Sequence, residues 1–164
     1  MISGKVWKYG DHVNTDLIIP GRYLDDYNVQ NLAKHAMEDI DPTFAAGVRK
    51  GDIIVAARNF GCGSSREQAP LALKAAGVGA VIAGSAARIF YRNSINVGLP
   101  IVICPQAAGM FEGGDPAEVD LEAGTVRNAR TGSCVNFNPP PEFLLDILND
   151  GGLVPHMRKK LGTK

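Results

Sequence analysis

A chain of 164 residues that is 45% hydrophobic and 21% charged can build one domain with a real core, and disorder is excluded. Seventeen basic and seventeen acidic residues cancel, so no net field recruits nucleic acid or an anionic membrane. No apolar run approaches the roughly 20 residues that span a bilayer, and Met1-Ile2-Ser3-Gly4-Lys5 lacks the pattern of a secretion signal. The expectation is therefore a cytoplasmic single domain over residues 1–164.

In chain order, Lys5–Tyr9 reads as a first strand, turned by Gly10-Asp11. The polar triplet Asn14-Thr15-Asp16 then leads into Leu17-Ile18-Ile19, a short strand candidate broken by Pro20-Gly21. Arg22–Tyr27 is polar and aromatic without a period, as a flexible surface loop would be. Asn28 is placed to cap a helix over 29–37, and a short helical turn follows Asp41-Pro42 as far as Ala46. Ile53–Ala57 is a buried strand, Arg66–Ala76 a helix stopped by Gly77, and Gly79–Ala83 a second apolar strand. Together they form a βαβ unit with parallel pairing. Ser85 is expected to cap a helix over 87–95, and Leu99–Cys104 makes another strand.

Beyond Pro105 the short segments 118–121, 125–128 and 134–137 predict an antiparallel meander, and 142–148 an amphipathic helix. Arg158-Lys159-Lys160 suits the end of a further helix, where cations complement the dipole. The fold class is α/β, with a mostly parallel central sheet and an antiparallel β meander.

The chemistry concentrates in Asn59-Phe60-Gly61-Cys62-Gly63-Ser64-Ser65-Arg66-Glu67, where an apolar strand passes into a helix. Gly61 and Gly63 allow a ligand close to the backbone, Ser64 or Ser65 can cap the helix, and Arg66 can fork onto a carboxylate. The letters exclude three glycine-loop signatures. There is no Gly-Lys-Ser or Gly-Lys-Thr for a nucleotide phosphate loop, no third glycine for a dinucleotide, and no G-x-S-x-G elbow. On physical grounds alone the loop is either a functional anion site or a capped structural turn.

Cys62, Cys104 and Cys134 are odd in number and lack C-x-x-C spacing, which argues against a disulfide framework or a zinc site. His12, His35 and His156 have no ligand spacing either. Arg88 and Arg92, one helical turn apart, either reach the anion site or pair with acids at a boundary.

Gly61–Glu67, with Asn14-Thr15-Asp16 upstream and Ala87-Arg88-Ile89-Phe90-Tyr91-Arg92-Asn93-Ser94 downstream, resembles the small subunit of 3-isopropylmalate dehydratase. That subunit is the free-standing counterpart of the swivelling C-terminal domain of aconitase, so the resemblance implies a swivelling β/β/α layered domain. It further implies a hydro-lyase of leucine biosynthesis that isomerises 2-isopropylmalate and 3-isopropylmalate by dehydration and rehydration. Ser64 would be the base, Ser65 and Arg66 would hold a substrate carboxylate, and Asp16 would orient charge in the site. The [4Fe-4S] cluster of such enzymes would sit on a larger partner subunit, since the three cysteines here do not match the cluster motif. No metal is expected on this chain.

By the same resemblance, the loop containing Tyr23, Leu24 and Asp25 discriminates among substrates. An aspartate there disfavours a third carboxylate, which leaves isopropylmalate ahead of homoaconitate, and dimethylmalate or a citramalate-type acid as alternatives. A non-catalytic carboxylate-binding module is the competing class, and self-association of the isolated chain stays open.

Overall fold

A computed structural model describes residues 1–26 and 28–162; Tyr27, which closes the predicted surface loop, lies outside the described residues. Seven strands form one sheet in the order β4-β3-β2-β1-β5-β6-β7. They are β1 (Ile2–Lys8), β2 (Ile53–Ala56), β3 (Ala80–Ala83), β4 (Ile101–Ile103), β5 (Pro116–Asp120), β6 (Thr125–Asn128) and β7 (Cys134–Asn136). Strands β1 to β4 are parallel, and β5 to β7 continue from β1 as an antiparallel meander, as the sequence predicts.

Strand β1 serves both halves in succession. Ile2–Lys5 pair with β5, and Val6–Lys8 pair with β2. The handover needs Gly4, because a Cβ there would lie 2.2 Å from the Gly51 carbonyl oxygen. Buried Asp52 fastens the junction by accepting hydrogen bonds from the Lys5 amide, the Arg49 amide and Trp7 Nε1 at 2.9–3.1 Å.

Every residue of β2 and β3 is buried, because both faces of the parallel sheet are covered. Side chains alternate between two cores. Ile54, Ala56, Val81 and Ala83 join the helical core, with Phe44, Leu73 and Phe90. Ile53, Val55 and Ile82 meet Ala117, Val119 and Val126 of the meander on the other side. The result is a meander, sheet and helix stack. Each fully buried Val, Ile or Leu contributes about 1.5–3 kcal/mol, so the strands hold the scaffold on which the loops are mounted.

The helices are α1 (Thr15–Ile18), α2 (Val29–Lys34), α3 (Phe44–Gly47), α4 (Gln68–Ala76), α5 (Arg88–Asn96), α6 (Pro105–Ala108), α7 (Glu142–Asn149) and α8 (Leu153–Lys160). Several differ from expectation. Leu17-Ile18 belongs to a helical turn and not to a strand, since Asn14 Oδ1 accepts from the Leu17 amide and the Ile19 amide bonds back to Thr15. Asn28 caps α2 as expected, but the helix stops at Lys34, and Met37 takes a left-handed φ of 61°. Helix α4 begins at Gln68, so neither Ser64 nor Ser65 caps it, and Ser85 Oγ accepts from the Asn59 amide instead of capping α5.

The segment expected to be a loose loop is anchored. Gly21–Tyr23 forms a 3-10 turn, Arg22 pairs with Glu38 and Asp39, and Tyr23 stacks on His35 at 3.8 Å between ring centroids. Lys74 on α4 donates to the carbonyls of Val97 and Gly151 at 2.5 and 2.7 Å, which fastens α4 to the end of α5 and to the α7–α8 turn. Asp150 in that turn accepts from His156 and Lys159 of α8.

Candidate active site

The three sequence motifs follow the carboxyl ends of three adjacent parallel strands, where ligands gather in open α/β sheets. Asn14-Thr15-Asp16 follows β1, the glycine loop follows β2, and Ala87–Ser94 follows β3. Hydrogen bonds lace them together. The Gly61 amide donates to Val13, the Thr15 amide to Cys62, and the buried Thr15 hydroxyl to the Ser64 carbonyl at 2.9 Å. On the other flank, Phe60 donates to Ser85 and Ala87 donates back to Phe60, a parallel bridge that carries the loop onto α5. At the loop base Arg58 binds Asp11, and its guanidinium holds that carboxyl below its ordinary pKa.

Both loop glycines have positive φ, 75° at Gly61 and 98° at Gly63. Gly61 is also pressed against Phe90, whose ring stands edge-on to Phe60 with centroids 5.4 Å apart. The loop therefore opens a cleft of about 330 Å³ on the side of α5. Its lining includes Thr15, Ser64, Ser65 and Arg66 from the loops, and Arg88, Ile89, Phe90 and Asn93 from α5. Among the described residues two guanidinium groups and no carboxylate line it. The first turn of α5 adds amides without an intrahelical acceptor, and among the described residues no side chain caps them.

Arg66 is the anchored cation. Its Nη1 donates to Asp16 and, at 3.4 Å, to the Ile19 carbonyl, which leaves Nε and Nη2 without an acceptor among the described residues. The Arg66 side chain is 17% exposed while Asp16 is 63% exposed, so the carboxylate steers a guanidinium held by the fold. Ser64 and Ser65 are exposed beside it.

The remaining expected residues stand apart from the cleft. Tyr23 is turned onto His35, Leu24 packs on the helical core and accepts from Gln68 through its carbonyl, and Asp25 is exposed. None of the three lines the cleft. Sequence reasoning left Arg88 undecided and passed over Ile89 and Asn93. The usable signal was that Ala87-Arg88-Ile89 opens the helix that comes after a parallel strand. The cysteines occupy three settings. Cys62 is half-buried in the loop, Cys104 buried under the meander, and Cys134 exposed on β7. They do not form a donor set for a cluster, and among the described residues no group of three His, Cys, Asp or Glu side chains converges to hold a metal.

This arrangement and the sequence place the chain in a family: residues 11–106 match the aconitase C-terminal domain, and the chain belongs to it. Its relatives carry the comparison over the full length. It is 55% identical to the methanogen homoaconitase small subunit of Methanothermobacter thermautotrophicus, over 99% of this chain and 94% of that one. It is 53% identical to 3-isopropylmalate dehydratase small subunit 1 of Methanopyrus kandleri, over 98% and 94%. The solved structure of 3-isopropylmalate dehydratase (leuD) from Methanocaldococcus jannaschii superposes with a TM-score of 0.92 at 45% identity, covering 98% of this chain and 95% of that one.

Proposed function

We propose that this chain is the small subunit of a cytoplasmic hydro-lyase that interconverts 2-isopropylmalate and 3-isopropylmalate, active with a larger partner subunit. The observation that carries the reading is the cleft itself, where a serine pair and an anchored arginine meet in a chain 53% identical to a 3-isopropylmalate dehydratase small subunit. In this reading Arg66 receives a substrate carboxylate on Nε and Nη2, and Ser65 completes the clamp. Ser64, whose alkoxide the nearby guanidinium stabilises, takes the carbon-bound proton as the hydroxyl leaves the adjacent carbon. On rehydration water adds with its hydroxyl on the other carbon, and Ser64 returns its proton to the carbon that lost the hydroxyl.

The [4Fe-4S] cluster that such enzymes use as Lewis acid belongs, in this proposal, to the partner. Among the described residues no three His, Cys, Asp or Glu side chains converge to hold a metal, in keeping with that proposal. Mixing the chain with that subunit is expected to reconstitute isomerisation, and Ser64→Ala to lower kcat by at least about 1,000-fold with association intact. A Ser64→Ala complex of normal activity would refute the role of base.

A homoaconitase reading is favoured by one observation, the relative of that name at 55% identity. Asp25 offers little against it, because the side chain is exposed and outside the cleft, where solvent and salt screen its repulsion. Seven other relatives with 50–54% identity are named 3-isopropylmalate dehydratase small subunits, and they tip the reading toward isopropylmalate. A panel of malate derivatives and tricarboxylic acids given to the reconstituted complex separates the two. Faster turnover of a tricarboxylic acid would transfer the assignment.

A further inference from the structure

We propose that Arg88 is a second substrate-binding residue, holding the carboxylate that Arg66 does not, and that Arg92 one turn away takes no part. The inference rests on the function proposed above and names a further residue for it. A dicarboxylic acid brings two negative charges, and Arg66 already shares its charge with Asp16. The other cation of the cleft lining is Arg88, at the first position of α5.

Among the described residues Arg88 shares the lack of an acidic partner with Arg49 and Arg92, and its place in the cleft lining separates it from both. Arg22, Arg58, Arg127 and Arg130 each pair with a carboxylate. Arg88 is exposed and has no acidic partner among the described residues, and the cleft it borders has no carboxylate in its lining. A guanidinium kept clear of acids in that setting is available to an incoming anion.

Arg66 and Arg88 follow β2 and β3, which are paired neighbours in the sheet, and both line the same cleft. Two cations in one cleft, one from the glycine loop and one from the start of α5, suit the two ends of a small diacid. Arg92 is also exposed and free of acidic partners among the described residues, yet it does not line the cleft, and so it serves as the internal control.

The test is steady-state kinetics of the complex reconstituted with the large subunit, on 3-isopropylmalate, with association followed by sedimentation. Arg88→Ala is expected to raise KM about 10- to 100-fold with a smaller effect on kcat, the size expected for one charged hydrogen bond. Arg88→Lys should recover part of the loss, since it restores the charge without the fork. Arg92→Ala should match the wild type, and all variants should associate normally.

An Arg88→Ala complex with wild-type KM overturns the inference, as does a KM change that merely follows weakened association, which would make Arg88 an interface residue. A wild-type complex that turns over no hydroxy-dicarboxylic acid overturns the proposed function, and this inference with it. Wild-type turnover with an indifferent Arg88→Ala overturns the inference alone.

Discussion

Gly61 has no room for a side chain. A Cβ would lie 2.1 Å from Phe90 Cγ, and φ is 75°, so substitution meets both a ring fixed in the core and a disfavoured backbone region. Gly61→Ala is expected to cost about 3 kcal/mol or more and to displace Ser64 and Arg66. Chemical denaturation of the chain and activity of the complex should fall together; a folded, fully active variant would show that the loop tolerates the change. The residues of this loop were legible in the sequence because they are contiguous and their types state their chemistry. Arg88 was not, since its role depends on α5 turning toward the loop and on the acids that are missing around it. Tyr23 shows the reverse case: the resemblance of its loop suggested a substrate contact, and the structure stacks it on His35.

At the scale of elements, what was legible follows from burial. β2 and β3 read correctly because both-side burial writes a continuous apolar run, β4 because its own short run is apolar although Ile103 is exposed at the sheet edge, and the meander because its short segments alternate between turns. Four-residue α1 did not, since a single helical turn has little propensity of its own and exists here because Asn14 caps it and Ile18 and Ile19 are buried. The same runs of letters, Leu-Ile-Ile and Ile-Ile-Val, thus give different structures through their tertiary partners. Lys74 shows a contact that no pattern announces. Its ammonium answers carbonyls from the ends of two other elements, and Lys74→Met keeps the stem while removing that bond donor. The expected cost is about 2 kcal/mol in denaturant unfolding, with faster hydrogen exchange in α7 and α8 than elsewhere. Unchanged exchange in those two helices would mean that Asp150, His156 and core packing hold them alone.

For the whole molecule, acid stability is set in part at the root of the meander. Buried Asp115 accepts from Arg130 at 2.6 and 3.1 Å, from Asn128 and from the Glu112 amide. The Arg130 guanidinium, foremost among these, holds its carboxyl well below the usual carboxylate range. A group depressed in the fold stabilises it fully above the unfolded pKa of about 4, and that contribution fades as pH falls through the window below. Melting temperature is expected to drop between about pH 5 and pH 2, and Asp115→Asn to be less stable at neutral pH with a flatter acid limb. An equally steep limb in the variant would assign the acid sensitivity to other carboxylates.

Strand β1 also fixes the order in which the molecule can be finished. Its Val6–Lys8 half waits for Ile53–Val55, and its Ile2–Lys5 half waits for Pro116–Val119. During synthesis the first strand is therefore among the last to be satisfied, and its amides and carbonyls stay open to wrong partners while the middle of the chain is made. Pairing across so much intervening chain is slow to close, so the contacts of Gly4 and Asp52 at this junction are expected to weigh on folding yield. Changes there would reduce the amount of active protein without altering the rate constants of the molecules that succeed.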